Sequence, residues 1–273
     1  MTTRRTIAAA LAFASAALSG CSSAAKSPSS VSLLPAQPGA AQPVGAYIKH
    51  VVIIIQENRT FDNVFRSYPG ADSATTGKTS TGKTVTLQPI GFVKKDMIHD
   101  WQHAIIDWDK GKMDGFDQNL LTNRTSAGLF SYSYLGRQFV QPYWTMAQQY
   151  VLGDRMFATM FGQSYTAHLT LIAATADLKP NLSLVDDPSS QPWGCDAPLG
   201  TTVRTINARR EFTTYAPFPC FTQFKTMEDT MDPKHVTWRY YQPQNSRLWS
   251  AFDSVRNVRF GPAWKANIGQ SNT

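Results

Sequence analysis

Residues His50–Phe65 read HVVIIIQENRTFDNVF. The aliphatic run Val51 to Ile55 passes directly into Gln56, Glu57, Asn58 and Arg59. An unbroken apolar run of that length, closed by polar residues, predicts a central β-strand covered on both faces, as in the parallel sheets of α/β proteins. Open α/β sheets bind ligands beyond the carboxyl ends of their strands, so Glu57 and Asn58 become candidates for a metal or phosphate site. A carboxylate suits a hard cation, and an amide donates to an oxyanion. The competing local reading is a helix cap with Asn58 turned to water.

Working outward, Thr60 to Phe65 predicts a short helix or turn, and TVTLQPI (84–90) alternates like an edge strand. Helices are expected over Asp96–Asp109, Gln141–Tyr150, the AHLTLIAATA segment (167–176) and Trp249–Val255. Strands are expected over Tyr150–Phe157 and Val236–Tyr241. Strands alternating with helices place the chain in the α/β class. The segment GKTSTGKT, Gly77–Thr84, satisfies the phosphate-loop pattern, but that loop needs a buried strand before it and a helix after it. Here a polar loop precedes and a β-like, proline-bearing stretch follows, so a tandem TGKT duplication accounts for the match.

The 273 residues carry a formal net charge of +7 with only 16% charged residues, and 42% are hydrophobic, enough for one substantial core. The basic balance suits anionic partners such as phosphate esters or lipid head groups. The basic residues are scattered without a Lys/Arg run or interleaved aromatics, so no nucleic-acid partner is expected. Residues 1–20 have a basic start at Arg4 and Arg5 and a short apolar stretch, then Leu18-Ser19-Gly20-Cys21. This resembles a bacterial lipoprotein signal, which implies lipidation of Cys21 and a location in the cell envelope, anchored to a membrane by lipid and facing the periplasm or exterior. Residues 21–46, rich in Ser, Ala and Pro, read as a flexible tether, and 47–273 as the globular part. Cys195 and Cys220 form an even pair, which in an oxidising compartment predicts a disulfide.

HVVIIIQENRTFDNVF resembles the opening of the bacterial phosphoesterases that include non-specific phospholipases C and acid phosphatases, within the alkaline-phosphatase-like superfamily. HDWQHAIIDWDKGKMDGF (99–116), GCDAPLGT (194–201), PCFTQFKTMEDTM (219–231), VTWRYY (236–241) and LWSAFDSVRNVRFGPAW (248–264) continue the likeness in order. It implies a three-layer α/β/α sandwich around a mainly parallel sheet, and hydrolysis of phosphate esters or phospholipids with help from a divalent metal ion. By position, Glu57 and Asn58 match the first metal- and phosphate-binding pair. Ser164, in FGQSYTAH, matches the nucleophile and a third metal ligand, with Thr166 as the fallback. His99 matches the histidine that binds the phosphate or protonates the leaving group. A departure lies beside the nucleophile, where Gln163 replaces a proline and Ala167-His168 stand in place of Asn-Arg. His103 reads as structural. Asp100, Asp107, Asp109 and Asp114 read as a solvated acidic face. His50 and His168 match no catalytic position.

The resemblance also implies a later Asp-Asp-x-x-Gly-x-x-Asp-His segment that supplies further ligands, and the sequence does not contain it. Asp186-Asp187, followed by PSSQPWG, fits neither its spacing nor its order. On this basis the chain is expected to be a C-terminally shortened member with a half-furnished site. Whether it is active alone stays open, beside two alternatives: a non-catalytic envelope lipoprotein that binds phosphorylated ligands, or a degenerate gene fragment.

Overall fold

The computed structural model describes residues 47–93, 95–243 and 250–271. The leader, Cys21 and the tether lie outside these residues, as does Trp249. The backbone divides into two units at Gln56–Glu57. In the first unit, the described residues 47–56 contain no strand. Val51–Ile55 has no regular secondary structure, is 53–86% exposed, and has no sheet partner among the described residues. This corrects the expected buried strand. A run that is apolar on both faces becomes a central strand only when neighbours bond to its edges and layers cover its faces, and its own residues supply neither.

The second unit opens with α1 (Phe61–Phe65). Thr60 caps it in a reciprocal box, its hydroxyl accepting from the Asn63 N–H at 3.2 Å while the Asn63 side chain accepts from the Thr60 N–H at 3.3 Å. Strands β1 (Thr76–Lys78) and β2 (Thr84–Thr86) form an antiparallel hairpin whose turn uses Gly82 at φ +79°. This hairpin is the GKTSTGKT segment, and a strand rather than a helix follows it. The expected TVTLQPI strand divides at Leu87, because β3 (Gln88–Ile90) leaves the hairpin to pair in parallel with β4 (Ser133–Leu135). Between them α2 (Trp101–Trp108) starts at Asp100, whose carboxylate accepts from the His103 N–H at 2.9 Å. Helix α3 (Arg137–Gln149) covers the expected Gln141–Tyr150 helix up to its last residue, and α4 (Ser164–Ala173) covers 167–173 of the helix expected over 167–176, which ends where Ala174 turns left-handed.

Three antiparallel strands, β5 (Asp177–Lys179), β6 (Leu182–Leu184) and β7 (Thr205–Asn207), follow α4. Helix α5 (Met227–Met231) precedes β8 (Tyr240–Pro243), which pairs in parallel with β9 (Ile268–Ser271) after α6 (Arg256–Arg259) and α7 (Pro262–Asn267). Tyr150–Phe157 is irregular, and the expected 236–241 strand begins only at Tyr240. In place of the helix expected before Val255, Ala251–Ser254 forms a short 3-10 turn. The architecture is mixed α/β with small sheets, two of them parallel pairs. Among the described residues each sheet has two or three strands.

The core gathers on α4. Tyr165, Leu169 and Ile172 fall at helical spacing on one face, against Leu184, Val203, Phe221, Phe252 and Val255. Leu169 is fully buried, and burying such a side chain contributes roughly 1.5–3 kcal/mol. Tyr165 meets the Trp193 ring edge-on at 5.7 Å, and a Cys195–Cys220 disulfide ties the neighbouring loops together. That packing fixes the axis of α4, and with it the position of the helix's first residue, Ser164.

Candidate active site

Helix α4 is capped from a distance. Gln163, its N-cap, makes no side-chain bond to the helix; its Oε1 instead accepts from the Asp187 N–H at 2.8 Å. The Asp187 carboxylate returns the contact, accepting from the Tyr165 N–H at 3.0 Å. Backbone bonding tightens the same junction, with the Gln163 N–H donating to the Val185 carbonyl at 3.1 Å. Gly162 is required there: it sits at φ +150°, and a Cβ would meet the Val185 carbonyl oxygen at 2.5 Å.

This placement brings Ser164 to Glu57. The Ser164 hydroxyl donates to Glu57 Oε1 at 3.1 Å, and His168 Nε2 lies 3.1 Å from Glu57 Oε2. Ser164 and His168 are one turn apart on α4 and so share a face. A carboxylate only accepts, so the His168 contact requires the proton on Nε2. The side chains of His168 and Glu57 are 11% and 25% exposed, so the trio is shielded but open on one side. His168 matched no catalytic position in the sequence, and the structure sets it on the central carboxylate.

The other candidates separate. Asn58 is exposed in the left-handed region at φ 71°, a conformation Asn tolerates, and its carbonyl accepts from Arg59 at 2.6 Å. Thr60, not Asn58, caps the following helix. His99 is exposed with Nδ1 2.8 Å from the Met97 carbonyl, and no described hydrogen bond joins it to Ser164 or Glu57. Its influence falls on Asp187. Thr166 is fully buried, its hydroxyl shared between the Gln163 and Val185 carbonyls and closed off from solvent. His103 is held by Asp100 at 2.7 Å.

Carboxylates read from sequence as solvated, or set aside, are in part buried. Burial pushes Asp107 up to about 6, with Asn119 hydrogen bonds pulling the other way, which corrects its assignment to a solvated face. Asp186 is buried, accepts from the Trp101 N–H at 2.9 Å and lies 3.3 Å from Arg204, with its carboxyl raised by burial. Asp187 is pushed up to about 6, first by burial and further by Asp186 and Glu57, against the Tyr165 N–H and His99. Asp100, Gln163, Asp186, Asp187, Arg204 and Tyr215 line a cleft of about 390 Å³ beside the start of α4.

The expected metal ligands were Glu57, Asn58 and Ser164. Two of them meet, and the third faces solvent without joining them. Among the described residues no group of three or more His, Cys, Asp or Glu side chains is placed to hold a metal ion. One carboxylate and one hydroxyl fall short of the four or so donors a divalent ion takes, and His168 already occupies the second carboxylate oxygen. The residues present therefore do not fit a complete metal site.

What the arrangement can do is activate a hydroxyl: Ser164 has a carboxylate acceptor, and its place at the first turn of α4 favours negative charge. The model of the Phosphoesterase family matches residues 48–270, a span that holds Glu57, Asn58, His99, Ser164 and both bridged cysteines. Family membership supports hydrolysis of phosphate esters as the general chemistry. The chain belongs to the Phosphoesterase family.

Proposed function

We propose that the chain hydrolyses phosphate esters through Ser164, with Glu57 as the base. Glu57 takes the Ser164 proton as the oxygen forms a bond to phosphorus, and the bond from phosphorus to the leaving oxygen breaks. The departing alkoxide takes a proton, a role assigned to His99 together with phosphate binding beside Asn58. Water then cleaves the phosphoserine, and the Ser164 oxygen recovers its proton. His168 holds the carboxylate in the orientation that reaches Ser164. No step is assigned to a metal ion.

The observation that carries this reading is the 3.1 Å contact between the Ser164 hydroxyl and Glu57. The two residues are far apart in sequence, and both lie within the span 48–270 that matches the family. Substrates of the phospholipase C or acid phosphatase type, a lipid anchor at Cys21 and an envelope location belong to the same proposal, as does the three-layer sandwich that the resemblance implies. The test is hydrolysis of p-nitrophenyl phosphate and of phosphatidylcholine vesicles. Ser164→Ala is expected to lower turnover by about 10³-fold or more while leaving phosphate binding intact. Unchanged turnover would refute the assignment.

A further inference from the structure

A second cleft, of about 330 Å³, opens between the end of α1 and the start of α3, and it shares no lining residue with the cleft beside Ser164. Arg66 and Arg137 both line it, with Tyr134 and Trp144. The Arg66 guanidinium stacks over the Tyr134 ring at 4.4 Å, and that of Arg137 over the Trp144 ring at 3.5 Å. Trp144 is itself fixed, its indole N–H donating to the Val64 carbonyl at 2.8 Å. Stacking on an aromatic face holds a guanidinium flat and leaves its N–H groups directed outward in the ring plane; Arg137 Nε donates to the Gln141 side-chain oxygen at 2.9 Å, which leaves its two terminal nitrogens for a ligand.

Among the described residues neither arginine has a carboxylate counter-ion. All 19 Asp and Glu residues of the chain lie among the described residues, and none is within ion-pair distance of Arg66 or Arg137. Arg66 Nε is also buried without a hydrogen-bond partner. Two like charges in one cleft repel, and a buried donor without a partner is unfavourable, so both features point to a ligand that is anionic and accepts hydrogen bonds. Gly136 adds a third: it is the N-cap of the 13-residue α3 and has no side chain to cap the first turn, whose N–H ends favour negative charge.

We infer that Arg66, Arg137 and the start of α3 form a binding site for a tetrahedral oxyanion, a free phosphate or the phosphate of an ester, separate from the Ser164 site. The Arg66 fork, the terminal nitrogens of Arg137 and a helix N-terminus together match an anion that offers several oxygens around one centre. The site does not depend on Ser164 being a nucleophile.

Isothermal titration of the full chain in 150 mM salt with inorganic phosphate, and separately with glycerol 2-phosphate in the Ser164→Ala background, tests the site. Saturable binding is expected, weakened at least tenfold in Arg66→Gln and in Arg137→Gln. It is expected to stay within twofold in Ser164→Ala and in Arg155→Gln, which removes an equally charged but exposed side chain. Circular dichroism checks the fold of each variant. If a Gln variant does not fold, the corresponding Lys variant, which keeps the charge and loses the fork, is expected to bind at least threefold more weakly. A tenfold preference for either probe identifies the esterified or the free anion as the source. Binding of neither probe, binding unaffected in the Arg66 and Arg137 variants, or equal weakening in Arg155→Gln overturns the site.

Discussion

Glu57 illustrates how much one side chain can hide from a sequence. Its position after an aliphatic run marked it as a ligand, and the family likeness paired it with Ser164. His168 was not legible, because its spacing of four from Ser164 acquires meaning only once folding brings Glu57 to that face of α4. Asp187 was missed for a different reason: it acts on the backbone of α4, and such capping from a distance leaves no local signature. Asp253 gives the sharpest consequence at this scale. Burial pushes its carboxyl up to about 7, the nearby Asp196 adds to the rise, and Arg259 opposes it. The folded-state value thus lies above the ordinary 3.8, so the folded chain binds the proton more tightly than the unfolded one. The stability this contributes is fully present below about pH 4 and is lost as pH rises through about 7. Asp253→Asn removes that dependence. Between pH 4.5 and pH 8 the wild-type chain is expected to lose on the order of 3 kcal/mol more than the variant in urea unfolding. Parallel losses in the two proteins would show that Asp253 does not titrate in this range.

Among the elements, helices were more legible than strands. Helices α3 and α4 follow from apolar residues at helical spacing, a property each segment carries by itself. A strand is completed by its partner, and the sequence does not name the partner. TVTLQPI therefore divides between two sheets, and 236–239 stays irregular until Tyr240 finds β9. Val51–Ile55 is the extreme case, with strong strand character and no neighbour among the described residues. An exposed, uncharged aliphatic run of strong strand propensity is a template for pairing with other chains. Placing a charge at Ile54, which is 86% exposed, is expected to lower self-association in sedimentation velocity without loss of helical circular dichroism. An Ile54→Lys variant that associates as strongly as the wild type would show that this run is not the adhesive element.

At the scale of the whole molecule, the α/β class and the family were legible, and the layered arrangement was not. The family follows from motifs carried in order along most of the chain, whereas the arrangement of sheets depends on contacts between distant segments. The core around α4 holds Ser164 at a helix start, the Asp187 loop caps that start, and the chain delivers Glu57 to its side. The second unit is thus organised around a hydroxyl set against a carboxylate, and the central claim is that this hydroxyl receives the phosphoryl group. The most direct measurement is acid quenching of the full chain during turnover of p-nitrophenyl phosphate, followed by mass spectrometry of its peptides. A phosphoserine at Ser164 that disappears in Ser164→Ala is predicted. Turnover with no phosphorylated Ser164, or with the phosphate on another residue, would contradict it.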